Sequence, residues 1–451
     1  MNIELHQFVI DFLDVFKKNN FQIFVVGGSV RDLLMGKKVI NWDFTTSAKP
    51  EEIMKLFPDS FYNNQFGTVG IPIKENEDEY VFEVTTFRKE SDYTNKRQPD
   101  SVEWTDNVEE DLARRDFTIN SMAYDAIKLV DLYNGQKDIA EKRLVAVGDP
   151  DIRFAEDALR LIRGVRLASQ LDFILEEKTI ESMKKNSNLI THISGERIRD
   201  EFFKILKSEH PEEGILLLKN TELLKHILPE LDVCFSVQQK SPKRHHIYDV
   251  GTHLVMSLKH SPSKDVITRF ATLLHDIGKA KTYRKDPETE IITFYNHEVV
   301  GTRQAEEIAT RFRLSNREKD KFITLIKYHQ FTVSELQTDK AVRRFIREVS
   351  KEYLQDMLDL RTADRIGSGA TTTSWRLDLF KKRLLEVQKE PFKVTDLKID
   401  GKDVMKIKEI PPGPLVGKIL ATIFEEVVEG KVKNERNPLL ERLGELTVSS
   451  V

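Results

Sequence analysis

The stretch FQIFVVGGSVRDLLMGKKVINWDF (residues 21–44) contains the pattern that decides the fold. Its first eight residues, FQIFVVGG, form a short apolar run that ends in two glycines, which predicts a buried strand entering a tight turn. SVRDLLMG then predicts a helix, with Ser29 as a candidate N-cap and Gly36 at its end. Asp43 follows on a second short strand. A glycine turn lets the backbone approach a ligand closely, so this pattern favours a site for a phosphorylated ligand.

Acidic positions on two predicted strands are candidate metal ligands. Side chains two residues apart on a strand point to the same side, so positions 41 and 43 are expected to share one face. Asp43 is a carboxylate, whereas position 41 carries Asn41, and Glu83 in the strand YVFEVTTF is a candidate third acid. Carboxylates in this arrangement hold the Mg²⁺ ions that neutralise phosphate charge in two-metal transfer. We therefore take Asn41, Asp43 and Glu83 as the candidate catalytic set, with Mg²⁺ at positions 41 and 43.

The composition predicts a helix-rich protein of two to four domains, because 451 residues are too many for one ordinary core. One cysteine excludes an internal disulfide framework, and no stretch reads as a signal peptide or a membrane span, so a cytoplasmic location is expected. The net charge of −4 argues weakly against nucleic acid. A local basic stripe from Arg153 to Lys207 favours RNA binding, with solvated helix faces as the alternative.

The motifs, in their order, resemble the class II tRNA nucleotidyltransferase and bacterial poly(A) polymerase family. The resemblance starts with GG-x-VRD and the following x-D-F strand and covers roughly residues 20 to 210. It continues through DLARRDFTINSMA (111–123), DLYNGQKDI (131–139), EDALRLIR (156–163) and RIRDEFFKIL (197–206). It implies addition of CCA, from CTP and ATP, to the 3′ end of tRNA. Neither a membrane nor an obligate protein partner is expected.

The resemblance also implies which residues bind the nucleotide. They come from the glycine turn, the start of the helix, the DLARRDF motif near ribose and triphosphate, and the EDxxR motif for the base. The residues are Gly27, Gly28, Arg31, Asp32, Arg114, Arg115, Asp116, Asn120, Asp157, Arg160 and Arg163. Helix capping is the alternative for Asp116 and Asn120. The polar stretch 86–100 matches the position of the family's flexible loop for switching from C to A, which argues against a CC-only enzyme.

The spacing of Asp157 and Arg160 predicts that one helix face carries both side chains, because they are three residues apart. Arginine offers donors and aspartate offers acceptors, which is enough to mimic the Watson–Crick edge of a partner base. An intrahelical salt bridge on a solvated face is the alternative.

Histidines and aspartates recur in the second half of the chain. An adjacent His-Asp pair, with a histidine upstream and an aspartate downstream, predicts one ion site, and two later histidines extend it toward a second. The candidate ligands are His253, His275, Asp276, His297, His329 and Asp364. HDIGK resembles the histidine–aspartate (HD) phosphohydrolase superfamily, so a divalent transition metal or Mg²⁺ is expected, with packed core histidines as the alternative.

These patterns predict an α+β protein with a small mixed sheet in its head, followed by helical domains. The predicted parts are a nucleotidyltransferase head at 1–147, a helical neck that binds nucleotide and RNA at 148–236, an HD domain at 240–370, and a helical tail that contacts tRNA at 371–451.

One position departs from the family pattern, which requires an acid at both ends of D-x-D. Asn41 offers a neutral oxygen there, so the charge that fixes Mg²⁺ is halved and impaired or absent activity is expected. An engineered trap, a natural member with altered activity and a pseudo-enzyme are the three explanations, and an isosteric change in a complete motif set favours the first.

Three other functions compete with CCA addition. Within the same chemistry, the alternative is a poly(A) polymerase or an A-adding enzyme. From another class, Asn41 favours an HD phosphohydrolase whose head binds RNA. The third is a catalytically silent RNA-binding protein.

Overall fold

The computed structural model describes residues 4–64, 67–75, 78–91, 101–239, 248–331, 333–334, 336–387, 394–428 and 430–447. Two compact units divide the chain, one formed by residues 1–236 with 308–313 and the other by residues 237–307 with 314–451. Among the described residues, no helix combines the length and the apolar character needed to cross a membrane. The α+β class predicted from the sequence is confirmed.

Up to residue 236, the described part of the first unit contains eleven strands and twelve α-helices. Its strands are β1 (Ile23–Val26), β2 (Asp43–Thr46), β3 (Phe61–Asn64), β4 (Thr68–Glu75), β5 (Asp78–Thr86), β6 (Arg88–Ser91), β7 (Ser101–Trp104), β8 (Met122–Tyr124), β9 (Leu129–Asp131), β10 (Arg143–Leu144) and β11 (Ile174–Leu175). Its helices are α1 (Gln7–Lys18), α2 (Gly28–Leu34), α3 (Pro50–Leu56), α4 (Val108–Ala113), α5 (Gly135–Ala140), α6 (Pro150–Glu156), α7 (Leu159–Leu171), α8 (Glu177–Lys185), α9 (Gly195–Lys207), α10 (Pro211–Asn220), α11 (Leu224–Ile227) and α12 (Pro229–Asp232).

A seven-stranded mixed sheet forms the head, in the order β3-β4-β5-β2-β1-β8-β9. Strands β2 and β5 run parallel, and their register places Asp43 beside Glu83. Because side chains alternate along a strand, Phe44 and Phe82 lie on the opposite face, where their rings pack 4.9 Å apart. Phe12 of α1 covers both rings at 4.8 and 4.9 Å. The buried aromatic core on one face therefore fixes both acids on the other.

The turn between β1 and α2 forms as predicted, but Ser29 is not its N-cap. Gly27 occupies the cap position with φ of 65°, a conformation that favours glycine, and Ser29 lies inside the helix. The Ser29 hydroxyl instead donates to the Asn41 carbonyl at 3.0 Å and accepts from the Asp43 N–H at 3.1 Å. Ser29 thus ties the glycine turn to the start of β2.

The polar stretch 86–100 is only partly a loop. Residues 88–91 form β6, which pairs antiparallel with β7, and Arg88 faces Trp104 across the pair. Residues 92–100 lie outside the described residues.

The second unit is helical apart from one short hairpin, over the residues that the structure describes. Its strands are β12 (Arg284–Lys285) and β13 (Ile292–Thr293). The helices after residue 247 are α13 (Val250–Lys259), α14 (Val266–Leu274), α15 (Lys279–Thr282), α16 (His297–Arg311), α17 (Asn316–Tyr328), α18 (Asp339–Val349), α19 (Leu354–Gly367), α20 (Trp375–Val387), α21 (Gly401–Lys408), α22 (Pro414–Val428) and α23 (Arg436–Glu445). Helices α21 to α23 share a separate apolar core that includes Ile423, Phe424 and Leu439.

Candidate functional site

Asp43 and Glu83 form a carboxylate pair at the centre of the head sheet. They are direct neighbours on parallel strands and project to the same face. Burial raises the pKa of Asp43; Arg115 opposes this and the Glu83 carboxylate adds to it. Two acids placed this closely favour a cation between them, because each would otherwise destabilise the charge of the other.

The glycine turn lies directly over this pair. A Cβ atom at Gly27 would lie 3.0 Å from Nη1 of Arg115 and 3.8 Å from Oδ2 of Asp43, and one at Gly28 would lie 3.2 Å from Nη2 of Arg31. Glycine at these positions therefore lets two guanidinium groups and a carboxylate lie close against the turn. Such a set of charges suits a triphosphate that carries a cation.

The predicted nucleotide-binding arginines are held by acids and amides around the turn. Arg31 donates to Oδ1 of Asp32 at 2.8 and 2.9 Å and to the side-chain oxygen of Asn120 at 2.8 Å. Asp32 and Asn120 therefore orient Arg31. Arg115 lies within 3.5 Å of the Asn120 carbonyl, so the two arginines share this anchor.

Asp111 is a site residue that the motif analysis missed. It is fully buried and pairs with Arg114 at 2.6 Å and with Arg115 at 3.3 Å. The attraction of both arginines outweighs burial and lowers the pKa of Asp111. The i, i+3 and i+4 spacing of DLARR is the sequence signal that would have indicated it.

Asn41 lies outside the strand on which the sequence argument placed it, because β2 begins at Asp43. The residue is exposed, and its backbone carbonyl is held by Ser29. The strand alternation invoked for positions 41 and 43 therefore does not extend to Asn41, and a metal-binding role for Asn41 stays a prediction. The acid that the sheet places beside Asp43 is Glu83.

Asp116, which is buried, and the partly exposed Arg163 form an ion pair that links the DLARRDF motif to α7. Nη2 of Arg163 lies 2.6 Å from Oδ2 of Asp116, and the Phe117 N–H donates to the other oxygen. Burial would raise the pKa of Asp116, but Arg163 and Arg160 outweigh it and lower the pKa to about 2. The helix-capping alternative fails for Asp116, because no described helix has it as its N-cap.

We expect Asp116→Asn to destabilise the first unit by about 2 kcal/mol at pH 7, since each unit of pKa depression contributes about 1.4 kcal/mol. A depressed carboxyl pKa stabilises the fold above the unfolded pKa, near 3.8, and this contribution disappears as pH falls toward about 2. Urea unfolding at pH 7, 5 and 3.5 measures the difference in unfolding free energy between the wild type and the variant. This difference should become smaller only at pH 3.5. Asp172→Asn, in an exposed pair with Lys142, is the control with little expected effect. A difference in unfolding free energy at pH 3.5 as large as at pH 7 would contradict the assignment of a stabilising charge to Asp116.

Asp157 and Arg160 do not share one helix face. The backbone of Asp157 is extended, between the end of α6 and the start of α7, and its Oδ1 accepts from the Leu159 N–H at 3.0 Å. The prediction was wrong because an aspartate side chain competes with the backbone for helix-end N–H groups. The salt bridge of Arg160 is formed with Glu156, at 2.6 Å, rather than with Asp157.

The second unit brings all six predicted HD residues into one buried cluster, called here the HD cluster. Their facing ligand atoms form two groups of three, each within 4.8 Å: His253, His275 and Asp364, and Asp276, His297 and His329. Asp276 connects the groups. Its Oδ2 lies 3.4 Å from Nε2 of both His253 and His275, and its Oδ1 lies 3.2 Å from His297 and 3.3 Å from His329.

Backbone carbonyls fix the ring orientation of three of these histidines. Nδ1 of His275, His297 and His329 lies 2.7 to 2.8 Å from the carbonyls of Thr272, Phe294 and Ile326 respectively. These carbonyls would accept from an Nδ1–H, an orientation in which Nε2 of each ring faces Asp276 and could bind an ion. Oδ1 of Asp276 and Nε2 of both His297 and His329 are buried and have no hydrogen-bond partner among the residues that the structure describes. Buried polar atoms of this kind fit a divalent ion.

An open cavity of about 490 Å³ adjoins the HD cluster and is lined by Asp276, Lys279, His297, His329 and Asp364, among other residues. The Lys279 ammonium lies 2.6 Å from Oδ2 of Asp276 and donates to Gln239 at 2.8 Å. Burial opposes the charge of His275, but Asp276 and Asp364 outweigh it and raise its pKa to about 10. A metal would replace this proton, because only a neutral imidazole binds an ion.

Family models match three parts of the chain. They are described as "Poly A polymerase head domain" (residues 23–145), "Probable RNA and SrmB- binding site of polymerase A" (172–235) and "tRNA nucleotidyltransferase domain 2 putative" (285–443). A CCA-adding enzyme of Lactococcus lactis subsp. cremoris is 32% identical over 95% of this chain and 93% of its own length. One of Enterococcus faecalis is 31% identical over 93% and 91%. The crystal structure of a Bacillus stearothermophilus CCA-adding enzyme in complex with CTP matches with a TM-score of 0.71 and 26% identity, over 97% and 96% of the two chains.

Proposed function

The chain belongs to the class II family of CCA-adding enzymes, and from this membership we propose that it adds CCA, from CTP and ATP, to the 3′ end of tRNA. The observation that carries the proposal is the register that sets Asp43 beside Glu83 under the Gly27 turn. A tRNA substrate makes the cytoplasm the expected location. We keep the divisions 1–147, 148–236, 240–370 and 371–451 as the proposed head, neck, HD domain and tail.

Residues around the glycine turn have different proposed roles in nucleotidyl transfer. Enzymes of this type use divalent metals, typically Mg²⁺, which neutralise the charge that develops on the phosphates. Asp43 and Glu83 would hold the ion in this chain. Arg31 and Arg115 lie against the glycine turn and would bind the triphosphate. Asp32, Asp111 and Asn120 orient these arginines and so act as positioning residues.

Base choice needs a protein surface that reads the Watson–Crick edge. C and A both present an exocyclic amino group beside a ring nitrogen that accepts a hydrogen bond, whereas U and G present the reverse pattern. A carboxylate beside an arginine complements C and A and leaves groups unpaired against U and G. We propose Asp157 as the acceptor of this surface.

Incubation of the full chain with tRNA lacking its CCA end, CTP, ATP and Mg²⁺ tests the proposed function. We expect products three nucleotides longer that end in CCA, read by sequencing of the 3′ ends. Long A tails that form without CTP would instead indicate a poly(A) polymerase. Failure of the Asn41→Asp variant as well as the wild type to extend tRNA would contradict the proposal, because that variant restores the family's D-x-D pattern.

A second candidate function is phosphoester hydrolysis at the HD cluster, favoured by the unpartnered Asp276, His297 and His329 atoms. The two groups of ligands would hold a transition-metal ion each or Mg²⁺, with Asp276 as their shared ligand. Such an ion would supply Lewis-acid chemistry next to the cavity. The Lys279 ammonium lies 2.6 Å from Oδ2 of Asp276 and would bind a phosphate oxygen in the cavity.

A further inference from the structure

The DLYNGQKDI motif (131–139) runs from the end of β9 into α5, which packs against the short 3₁₀ helix Thr118–Asn120. The approach of the two elements is close. A Cβ atom at Gly135 would lie 2.5 Å from the Thr118 carbonyl oxygen, so only glycine permits this distance. The motif therefore supports the segment that follows DLARRDF from one side.

A buried hydrogen bond joins α5 to the first residue of the 3₁₀ helix. The Thr118 hydroxyl donates to Oδ2 of Asp138 at 2.6 Å, and both side chains are buried. Burial raises the pKa of Asp138, and the bond from Thr118 opposes this rise. The Thr118 N–H also donates to the Val145 carbonyl at 2.9 Å. Because a buried hydrogen bond to a carboxylate is strong, it fixes the start of the 3₁₀ helix.

The last residue of the same 3₁₀ helix contacts both arginines of the glycine turn. The side-chain oxygen of Asn120 accepts from Nη1 of Arg31 at 2.8 Å, and its carbonyl accepts from Nη1 of Arg115 at 3.5 Å. The bonds from Arg31 to Asp32 stay within α2, so Asn120 connects Arg31 to a separate element. A shift of the 3₁₀ helix would therefore move the anchor of both guanidinium groups.

We propose that Thr118 and Asp138 are positioning residues for the triphosphate, because their hydrogen bond fixes the 3₁₀ helix from which Asn120 holds Arg31 and Arg115. They act through Asn120 and not by contact with the nucleotide. The inference rests on the proposed function, since that function assigns the two arginines to the triphosphate of CTP and ATP. No local pattern pairs Thr118 with Asp138, because 20 residues separate them.

Equilibrium binding of CTP and CMP to the full chain with Mg²⁺ tests the inference independently of catalysis, because CMP lacks the β- and γ-phosphates. Thr118→Val removes the hydroxyl but keeps the size of the side chain. We expect it to weaken CTP binding about tenfold and CMP binding less than about twofold, because misplaced arginines lose charged hydrogen bonds. Thr118→Ser keeps the hydroxyl and should keep the wild-type ratio of affinities. Thr179→Val is the matched control and should also keep it, since Thr179 is buried and donates to the Glu176 carboxylate at 3.0 Å.

Asp138→Ala should weaken CTP binding by a similar factor, and adding Thr118→Val to it should change little, because both remove the same hydrogen bond. An unchanged ratio of CTP to CMP affinity in either variant, or equal losses for both ligands, would overturn the positioning role. If these variants misfold, Asp138→Asn decides the matter. It keeps an acceptor oxygen without the charge and should lose part of the ratio, whereas an unchanged ratio would overturn the role.

The same measurements separate the inference from the proposed function. A wild type that binds CTP more tightly than CMP yet incorporates no nucleotide would refute the proposed function alone. A wild type that binds CTP and CMP equally well would refute the positioning role of Thr118 and Asp138.

Discussion

Asp43→Asn is expected to lower nucleotide incorporation by about a thousandfold or more, because loss of a metal ligand removes several kcal/mol of transition-state stabilisation. Asp43 is half-buried beside the glycine turn, and its strand neighbour Glu83 is the acid in register with it. Asparagine keeps the size of the side chain and its backbone contacts, so the change isolates the charge. Single-turnover incorporation of labelled CTP into tRNA lacking CCA measures the effect.

Glu83→Gln should cause a loss of similar order if the two strand neighbours hold the ion together. Asp59→Asn removes an exposed carboxylate of the same unit and should leave the rate unchanged. Full activity of Asp43→Asn would show that the metal site of the head lies elsewhere.

Asn41→Asp is the matching gain-of-charge change and should raise incorporation by at least about tenfold, because a third acid strengthens the hold on the cation. The hydroxyl of Ser29 bridges the backbone of residues 41 and 43, so the new carboxylate would start close to Asp43. An unchanged rate would mean that position 41 contributes no ligand, and that Asp43 with Glu83 suffices.

Asp276→Ala is expected to remove all bound metal from the second unit, which is the largest effect predicted for the HD cluster. Each of its two oxygens faces a different group of histidines, so its loss disrupts both groups at once. Elemental analysis of the full chain after purification with excess Mn²⁺, followed by desalting, gives the number of ions for each chain. We expect the wild type to hold up to two ions more than the variant, because the variant keeps the carboxylates of the head.

Two comparisons separate shared from single ligands. Asp364→Ala should remove only the ion of the group with His253 and His275, because Asp364 belongs to one group. His260→Ala, on the same unit but outside both groups, should leave the metal content unchanged. Retention of both ions by Asp276→Ala would exclude a shared ligand, and a metal-free wild type would leave the histidines as core residues.

The sequence by itself determined the elements whose signals are local. The apolar run, the glycine pair and the following helix predicted β1, the turn and α2, because periodicity and turn chemistry act within a few residues. Motif order gave the family, which the relatives confirm over nearly the whole chain. The histidines and aspartates that form the HD cluster were also evident from the sequence, and their role as metal ligands stays a prediction.

Tertiary structure alone decided which of these groups meet. Glu83 reaches Asp43 through a parallel strand pairing 40 residues apart, and no local pattern specifies that register. Asp157 does not lie on the expected helix face because its Oδ1 accepts from the Leu159 N–H at the start of a helix. Its other oxygen, Oδ2, lies 3.8 Å from Nη2 of Arg197. Asp276 faces histidines of both groups because α13, α16 and the ends of α14 and α17 bring His253, His297, His275 and His329 next to it. The type of each side chain can be read directly from the sequence. Which side chains meet across separate helices and strands depends on tertiary packing, which local sequence patterns do not specify.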